Sequence, residues 1–231
     1  MKSLQKNFRA LVIGSSGSIG SAFLSALTSH ENCAFAGHIS RKDNPLFDLT
    51  NEVAIEESLL PVKAMGPYEL IIDATGALTI NGHGPEKSLQ TLNASNLSQS
   101  LWVNCIGPSI LLKNLVPILA KERCIYAKLS ARVGSISDNK LGGWYSYRSS
   151  KAAFNMMLQT AAIEHKRKNP NSVFVALQPG TVASPLSSPF VDPAGALTPQ
   201  DSVKQMLSAI DQLAPTVGAH FIDYRGQKIA W

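Results

Sequence analysis

Phe8 to Ser29 reads FRALVIGSSGSIGSAFLSALTS, and the order of its three parts decides the fold. Phe8 to Ile13 is a short apolar run, β-branched toward its end, and reads as a buried strand. Gly14-Ser15-Ser16-Gly17-Ser18-Ile19-Gly20 follows. From Ala22 to Ser29 the pattern is that of a helix. Strand, glycine-rich turn and helix together form a dinucleotide cradle. Small residues admit a pyrophosphate, and the helix N-terminus supplies N–H groups and positive dipole. A glycine turn in isolation says little; its place between strand and helix gives it weight.

Outward from this unit, strands alternate with helices. Cys33 to Ile39 is a second strand, ending in Ser40-Arg41-Lys42. An acid at this point would take a ribose 2′-OH, whereas an Arg accommodates a 2′-phosphate. Two cations without an acid therefore favour NADP(H) over NAD(H). Leu46 to Thr50 reads as a short third strand, and Thr50 or Asn51 caps a helix to about Ala64. Glu69 to Ala74 is a fourth strand, stopped by Thr75-Gly76, and residues 77–86 form a loop. Leu89 to Ala120 reads as two helices meeting near Ser95 to Gln99. Cys124 to Leu129 is a fifth strand and Ser172 to Leu177 a sixth. Thr181 to Pro199 is a Pro-, Ser- and Ala-rich loop. A helix from Asp201 to Leu213 and a last strand, Ala219 to Tyr224, complete the chain. The alternation predicts one parallel-sheet α/β domain over residues 1–231.

The helix after Gly143 carries Tyr147 and Lys151, which the i,i+4 spacing puts on one face. A phenol has a reference pKa of about 10 and is a poor base at neutral pH. A fixed ammonium nearby favours phenolate, so the pair is a candidate general acid/base. An exposed helix face with the same spacing is the plainer alternative. Asn104 interrupts an apolar run, so its amide needs a partner, either in the core or in a site.

The chain has 231 residues, 45% hydrophobic and 16% charged, with a net charge of +5. These values suit a globular protein with a large core. Part of the positive excess is Lys166-Arg167-Lys168, at a helix end where cations suit the dipole. No basic stripe with interleaved aromatics argues for nucleic acid. Cys33, Cys105 and Cys124 lack metal-ligand spacing and read as buried thiols in a reducing compartment. His83 reads as a loop residue, and no metal site is expected. No run reads as long enough to span a bilayer, and Ala10 to Ile13 is too short for a signal core, so a cytoplasmic protein without a membrane partner is expected.

The glycine turn, Asn104, Tyr147, Lys151 and Pro179-Gly180, in this order, resemble the short-chain dehydrogenase/reductase family. Gly134-Ser135-Ile136 and Gly142-Gly143 before Tyr145-Ser146-Tyr147-Arg148 resemble its C-factor and sniffer-type carbonyl reductase group. The resemblance implies a doubly wound Rossmann-like sheet of about seven strands with helices on both faces. It implies hydride transfer between NADP(H) and a small carbonyl or alcohol. Tyr147 would be the general acid/base. Lys151 would lower its pKa and bind the nicotinamide ribose. Asn104 would hold a relay water behind Lys151. Gly14, Ser15, Ser16, Gly17, Ser18, Ile19 and Gly20 would line the pyrophosphate. Ser40, Arg41, Asp48 and Leu49 would surround the adenosine end, with Asp48 facing the adenine. Asp73-Ala74-Thr75-Gly76 would pass beside the adenosine ribose. Pro179, Gly180, Val182 and Ser184 would approach the nicotinamide. A homodimer or homotetramer is implied through the helices of Asn104 and Tyr147.

Two departures stand out. The family's usual Gly-x-x-x-Gly-x-Gly is here Gly14-x-x-Gly17-x-x-Gly20, with Ser18 at a usual glycine. Its substrate-binding Ser, counted back from Gly134, falls on Ala131. Ser130 and Ser135 are the replacement hydroxyls, Ser130 only if the backbone twists there. The second departure leaves a cofactor-binding sensor with weak or no turnover as an alternative to a reductase.

Overall fold

The computed structural model describes residues 1–185 and 195–231. Six strands form one sheet: β1 (Phe8–Ile13), β2 (Cys33–Ile39), β3 (Leu70–Asp73), β4 (Cys124–Leu129), β5 (Ser172–Gln178) and β6 (His220–Asp223). Their spatial order is β2-β1-β3-β4-β5-β6, and every neighbouring pair is parallel. Six α-helices accompany them among the described residues: α1 (Ser18–Thr28), α2 (Glu52–Ala64), α3 (Ala94–Leu101), α4 (Gly107–Leu115), α5 (Tyr145–Lys166) and α6 (Pro199–Asp211).

Side chains alternate across the strands, so each strand feeds two cores. Leu11, Ile13, Ile71 and Tyr126 face Leu59 of α2, Leu111 of α4 and Phe154 of α5. Ala10, Val12, Leu70, Ile72 and Ile125 face Phe23 and Leu27 of α1 and Met206 of α6. Each large aliphatic side chain fully buried this way contributes roughly 1.5–3 kcal/mol. From β1 the chain first builds outward to β2, then returns to add β3 on the other side. That reversal opens a crevice beyond the C-terminal ends of β1 and β3.

Among the described residues the sheet has six strands rather than seven, because Leu46 to Thr50 is not a strand. Its polar side chains bind their own backbone: Asn44 Oδ1 accepts from Leu46 N at 3.1 Å, and Asp48 Oδ1 accepts from Thr50 N at 2.8 Å. Such local bonds compete with a sheet ladder. Asn51 then caps α2 as expected, accepting from Ala54 N at 3.1 Å. The helices between Leu89 and Ala120 meet later than expected. A π-helical turn over Trp102–Ile106 joins α3 to α4, and Asn104 lies within it. The helical run Ala94–Ile118 is also long and apolar enough to cross a bilayer, contrary to expectation. Here Leu111, Leu112 and Leu115 of that run are buried in the core against the sheet. The expected loop from Thr181 to Pro199 lies partly outside the described residues, at 186–194.

Candidate active site

The glycine turn leaves β1 at Gly14, whose φ of +81° suits glycine. A Cβ on Gly20 would stand 2.1 Å from the Gly14 carbonyl oxygen, so the turn closes only around glycine there. Gly17 is different. A Cβ on it would meet only the Gly14 oxygen, at an ordinary 3.5 Å. Among the described residues nothing requires glycine at Gly17, which lines an open trough. It is the N-cap of α1, and no side chain caps that helix. Bare N–H groups and a low floor fit a phosphate-bearing dinucleotide.

The trough runs along the C-terminal edge of the sheet. One part, about 610 Å³, is lined by Gly14, Ser16, Gly17, Arg41, Asp48 and Leu49. The other, about 330 Å³, is lined by Ser16 to Gly20, Ser130, Tyr147, Lys151, Pro179 and Ser184. Ala74, Thr75 and Gly76 line both parts. Five expected residues stand behind this wall. Ser15 is buried and its hydroxyl lies 3.4 Å from His38 Nδ1. Ser40 is buried and donates to Asp43 Oδ2 at 2.6 Å. A side chain on Gly180 would press on the Tyr224 ring, and Val182 is buried in a bridge to Leu197. Asn104 is fully buried.

Asn104 spends its amide mainly on one residue, with a longer bond from Nδ2 to Ser100 Oγ at 3.4 Å. Its Oδ1 accepts from Ala77 N and its Nδ2 donates to Ala77 O, each at 2.9 Å. The side chain pins the loop after β3. Asp73, at the start of the expected ribose turn, is fully buried and pairs with Lys128 at 2.8 Å.

On α5, Lys151 Nζ lies 5.6 Å from the Tyr147 ring centroid and donates to Leu129 O at 3.3 Å. Burial pushes the Tyr147 phenol up to about 12, against the lowering expected from Lys151. Burial lowers Lys151 to about 7; the Lys128 charge adds to this and Asp73 opposes it. A lysine partly neutral near pH 7 offers the phenol less positive charge than an ordinary one. Both replacement hydroxyls are engaged, Ser130 as a donor and Ser135 as an acceptor. Ser130 Oγ donates to Asn155 Oδ1 at 2.8 Å, although Ser130 lines the trough. Ser135 Oγ accepts from Asp138 N at 3.0 Å within a turn.

Two features were missed in the sequence. Trp144, the N-cap of α5, is left-handed at φ +54° and provides no side-chain cap bond. Buried Glu86 does this from another loop, accepting from Ser146 N at 3.0 Å and from the Ser146 hydroxyl. Burial would raise the Glu86 pKa, but these Ser146 bonds hold it below the usual carboxylate value. The second feature is the Lys128–Asp73 pair. Its sequence signal was a charge inside the apolar strand CIYAKL, on the same face as Tyr126.

No family model matches the chain. It is 29% identical over 167 residues to C-signal of Myxococcus xanthus, covering 72% of this chain and 94% of that one. It is 26% identical over 188 residues to 1-hydroxy-2-glutathionyl-2-methyl-3-butene dehydrogenase of Rhodococcus sp., covering 81% and 79%. The fold resembles NADPH-bound carbonyl reductase from chicken fatty liver at a TM-score of 0.83, with 20% identity over 99% and 96% of the two chains. It resembles carbonyl reductase Sniffer of D. melanogaster at 0.81, with 19% identity over 98% and 100%.

Proposed function

We propose, from the premise that the chain belongs to the short-chain dehydrogenase/reductase family in a Sniffer- and C-factor-like group, that it reduces small carbonyl compounds with NADP(H). The observation that carries this is the position of Tyr147 and Lys151 in the same trough as the Gly17–Gly20 turn. Bound NADP(H) would supply or accept the hydride. Tyr147 gives a proton to the carbonyl oxygen in reduction and takes one from the alcohol in oxidation. Lys151, whose Nζ lies 5.6 Å from the Tyr147 ring centroid, would hold a ribose hydroxyl. Gly14, Ser16 and Gly17 to Gly20 would hold the pyrophosphate, and Asp48 and Leu49 would flank the adenosine. Arg41 lines the trough, and the neighbouring Asp43 is held by Ser40 and His38, which favours a 2′-phosphate.

The substrate is proposed to enter beside Tyr147, where Trp144 packs edge-on at 6.1 Å and a cavity of about 120 Å³ reaches His83 and Gln99. We further propose one domain, a cytoplasmic site for a chain with three free thiols, and a homodimer or homotetramer through α4 and α5. Exposed Met156 and Met157 on α5 support such an assembly.

Ala131, with Ser130 and Ser135 both engaged, supports the second reading, a nucleotide-binding sensor with little turnover. Loss of NADPH absorbance with a panel of aldehydes and ketones separates the two. Turnover of a small carbonyl is the expected result. Tight NADPH binding without turnover of any panel member contradicts the reductase and supports the sensor.

A further inference from the structure

Two buried ammonium groups meet at one turn. Lys128 lies in β4, 1% exposed, directly in register with Asp73 of β3. Its Nζ donates to Asp73 Oδ1 at 2.8 Å, Thr75 O at 2.7 Å and Thr75 Oγ1 at 2.8 Å. Those three acceptors match the three donors of an ammonium. The Phe154 ring of α5 lies 5.6 Å from the same nitrogen. Lys151 reaches this turn from the other side: a Cβ on Gly76 would stand 3.1 Å from its Nζ. Its carbonyl partner, Leu129, follows Lys128 in the strand.

The charges around this turn are few. From β3 comes Asp73, from β4 Tyr126, whose hydroxyl lies 3.5 Å from Asp73 Oδ2, and from α5 Tyr147. Asp73 is the one carboxylate paired with either ammonium among the described residues, and Lys128 holds it. Lys151 therefore has a like charge behind it and no carboxylate of its own.

We infer that Lys128 is a positioning residue for the proposed reaction: held by Asp73 beneath the Thr75–Gly76 turn, its ammonium opposes the charge on Lys151 and keeps Tyr147 a proton donor, favouring carbonyl reduction over alcohol oxidation. This inference rests on the oxidoreductase reading above. In reduction the carbonyl carbon takes the hydride from the reduced cofactor, the oxygen takes the Tyr147 proton, and the phenolate is reprotonated from solvent. Oxidation needs the phenolate first. Burial leaves Tyr147 at about 12 and Lys151 at about 7, which suits the donor direction at neutral pH.

The test is a 13C-lysine NMR titration of the cofactor-free protein, with the Lys151 signal assigned by its loss in Lys151→Met. The parent is expected to show a Lys151 midpoint near pH 7. Lys128→Met moves it up by about one pH unit or more, and Lys128→Arg, which keeps the charge, leaves it in place. Removing one partner of a buried pair is strongly destabilising, so Asp73→Asn/Lys128→Met is titrated as well and compared with Asp73→Asn/Lys128→Arg, which keeps the cation; the Lys151 midpoint is expected to lie higher in the former. Once folded, a Lys128→Met midpoint equal to the parent's, or equal midpoints in the two Asp73→Asn double variants, overturns the inference. In Lys128→Met the pH of half-maximal alcohol oxidation with NADP+ falls; an unmoved profile beside a shifted lysine also overturns it. The titration uses no cofactor, so failure of the oxidoreductase reading shows separately, as a parent protein with no turnover.

Discussion

Glu86 caps the helix that carries Tyr147, its carboxylate accepting the Ser146 backbone N–H at 3.0 Å. The loop after β3 thus fixes the first turn of α5 through a residue remote in sequence. A carboxylate at a helix N-terminus satisfies an orphan donor and meets the positive end of the dipole. Because these bonds hold the folded-state pKa of Glu86 below its unfolded value, the stabilisation is present above the ordinary carboxylate pKa and fades as pH falls through the folded value. Glu86→Ala is expected to cost about 1–2 kcal/mol at neutral pH. Its thermal midpoint falls at neutral pH and approaches that of the parent in acid. A deficit that stays constant on acidification contradicts the cap.

Gly17 and Gly20 divide into a ligand-facing and a fold-required glycine. Gly20→Ala drives a methyl into the Gly14 carbonyl and is expected to prevent normal folding. Gly17→Ala has room within the protein, so its melting and circular dichroism stay near the parent's. Its NADPH affinity, measured by nucleotide fluorescence, falls about tenfold, or ~1.4 kcal/mol. Unchanged affinity in Gly17→Ala would separate the trough from the cofactor.

Ala131 leaves the substrate oxygen without the hydroxyl that the family resemblance leads one to expect. Ala131→Ser is expected to raise kcat for carbonyl reduction by about tenfold or more, since such a donor is typically worth a few kcal/mol. NADPH affinity stays the same. Steady-state kinetics with the best carbonyl of the panel checks this, and a kcat that does not rise shows that the position lies away from the reacting oxygen.

Much of this architecture is legible in the chain because it is local. β1, the glycine turn and α1 are contiguous, and Tyr147 and Lys151 share a helix face by spacing alone. What escapes is non-local. Asp73 and Lys128 meet only because β3 and β4 pair in one register. Glu86 reaches Ser146 across a gap in sequence that no pattern marks. Leu46 to Thr50 has the apolar look of a strand, yet Asn44 and Asp48 fold it into turns. Burial within a lining run is not legible either: Ser15, Ser40 and Val182 are neighbours of lining residues but are themselves buried. The Tyr147 pKa expectation counted the ammonium and left out the burial of both groups.

The central claim is that the Tyr147 phenol moves the proton while hydride moves. Its most direct test is Tyr147→Phe, with NADPH affinity and carbonyl turnover measured on the same preparation. Affinity is predicted to stay within about twofold, while kcat falls about 10²–10⁴-fold, the range of a lost general acid. A Tyr147→Phe protein that binds NADPH and reduces the carbonyl at the parental rate would contradict the account.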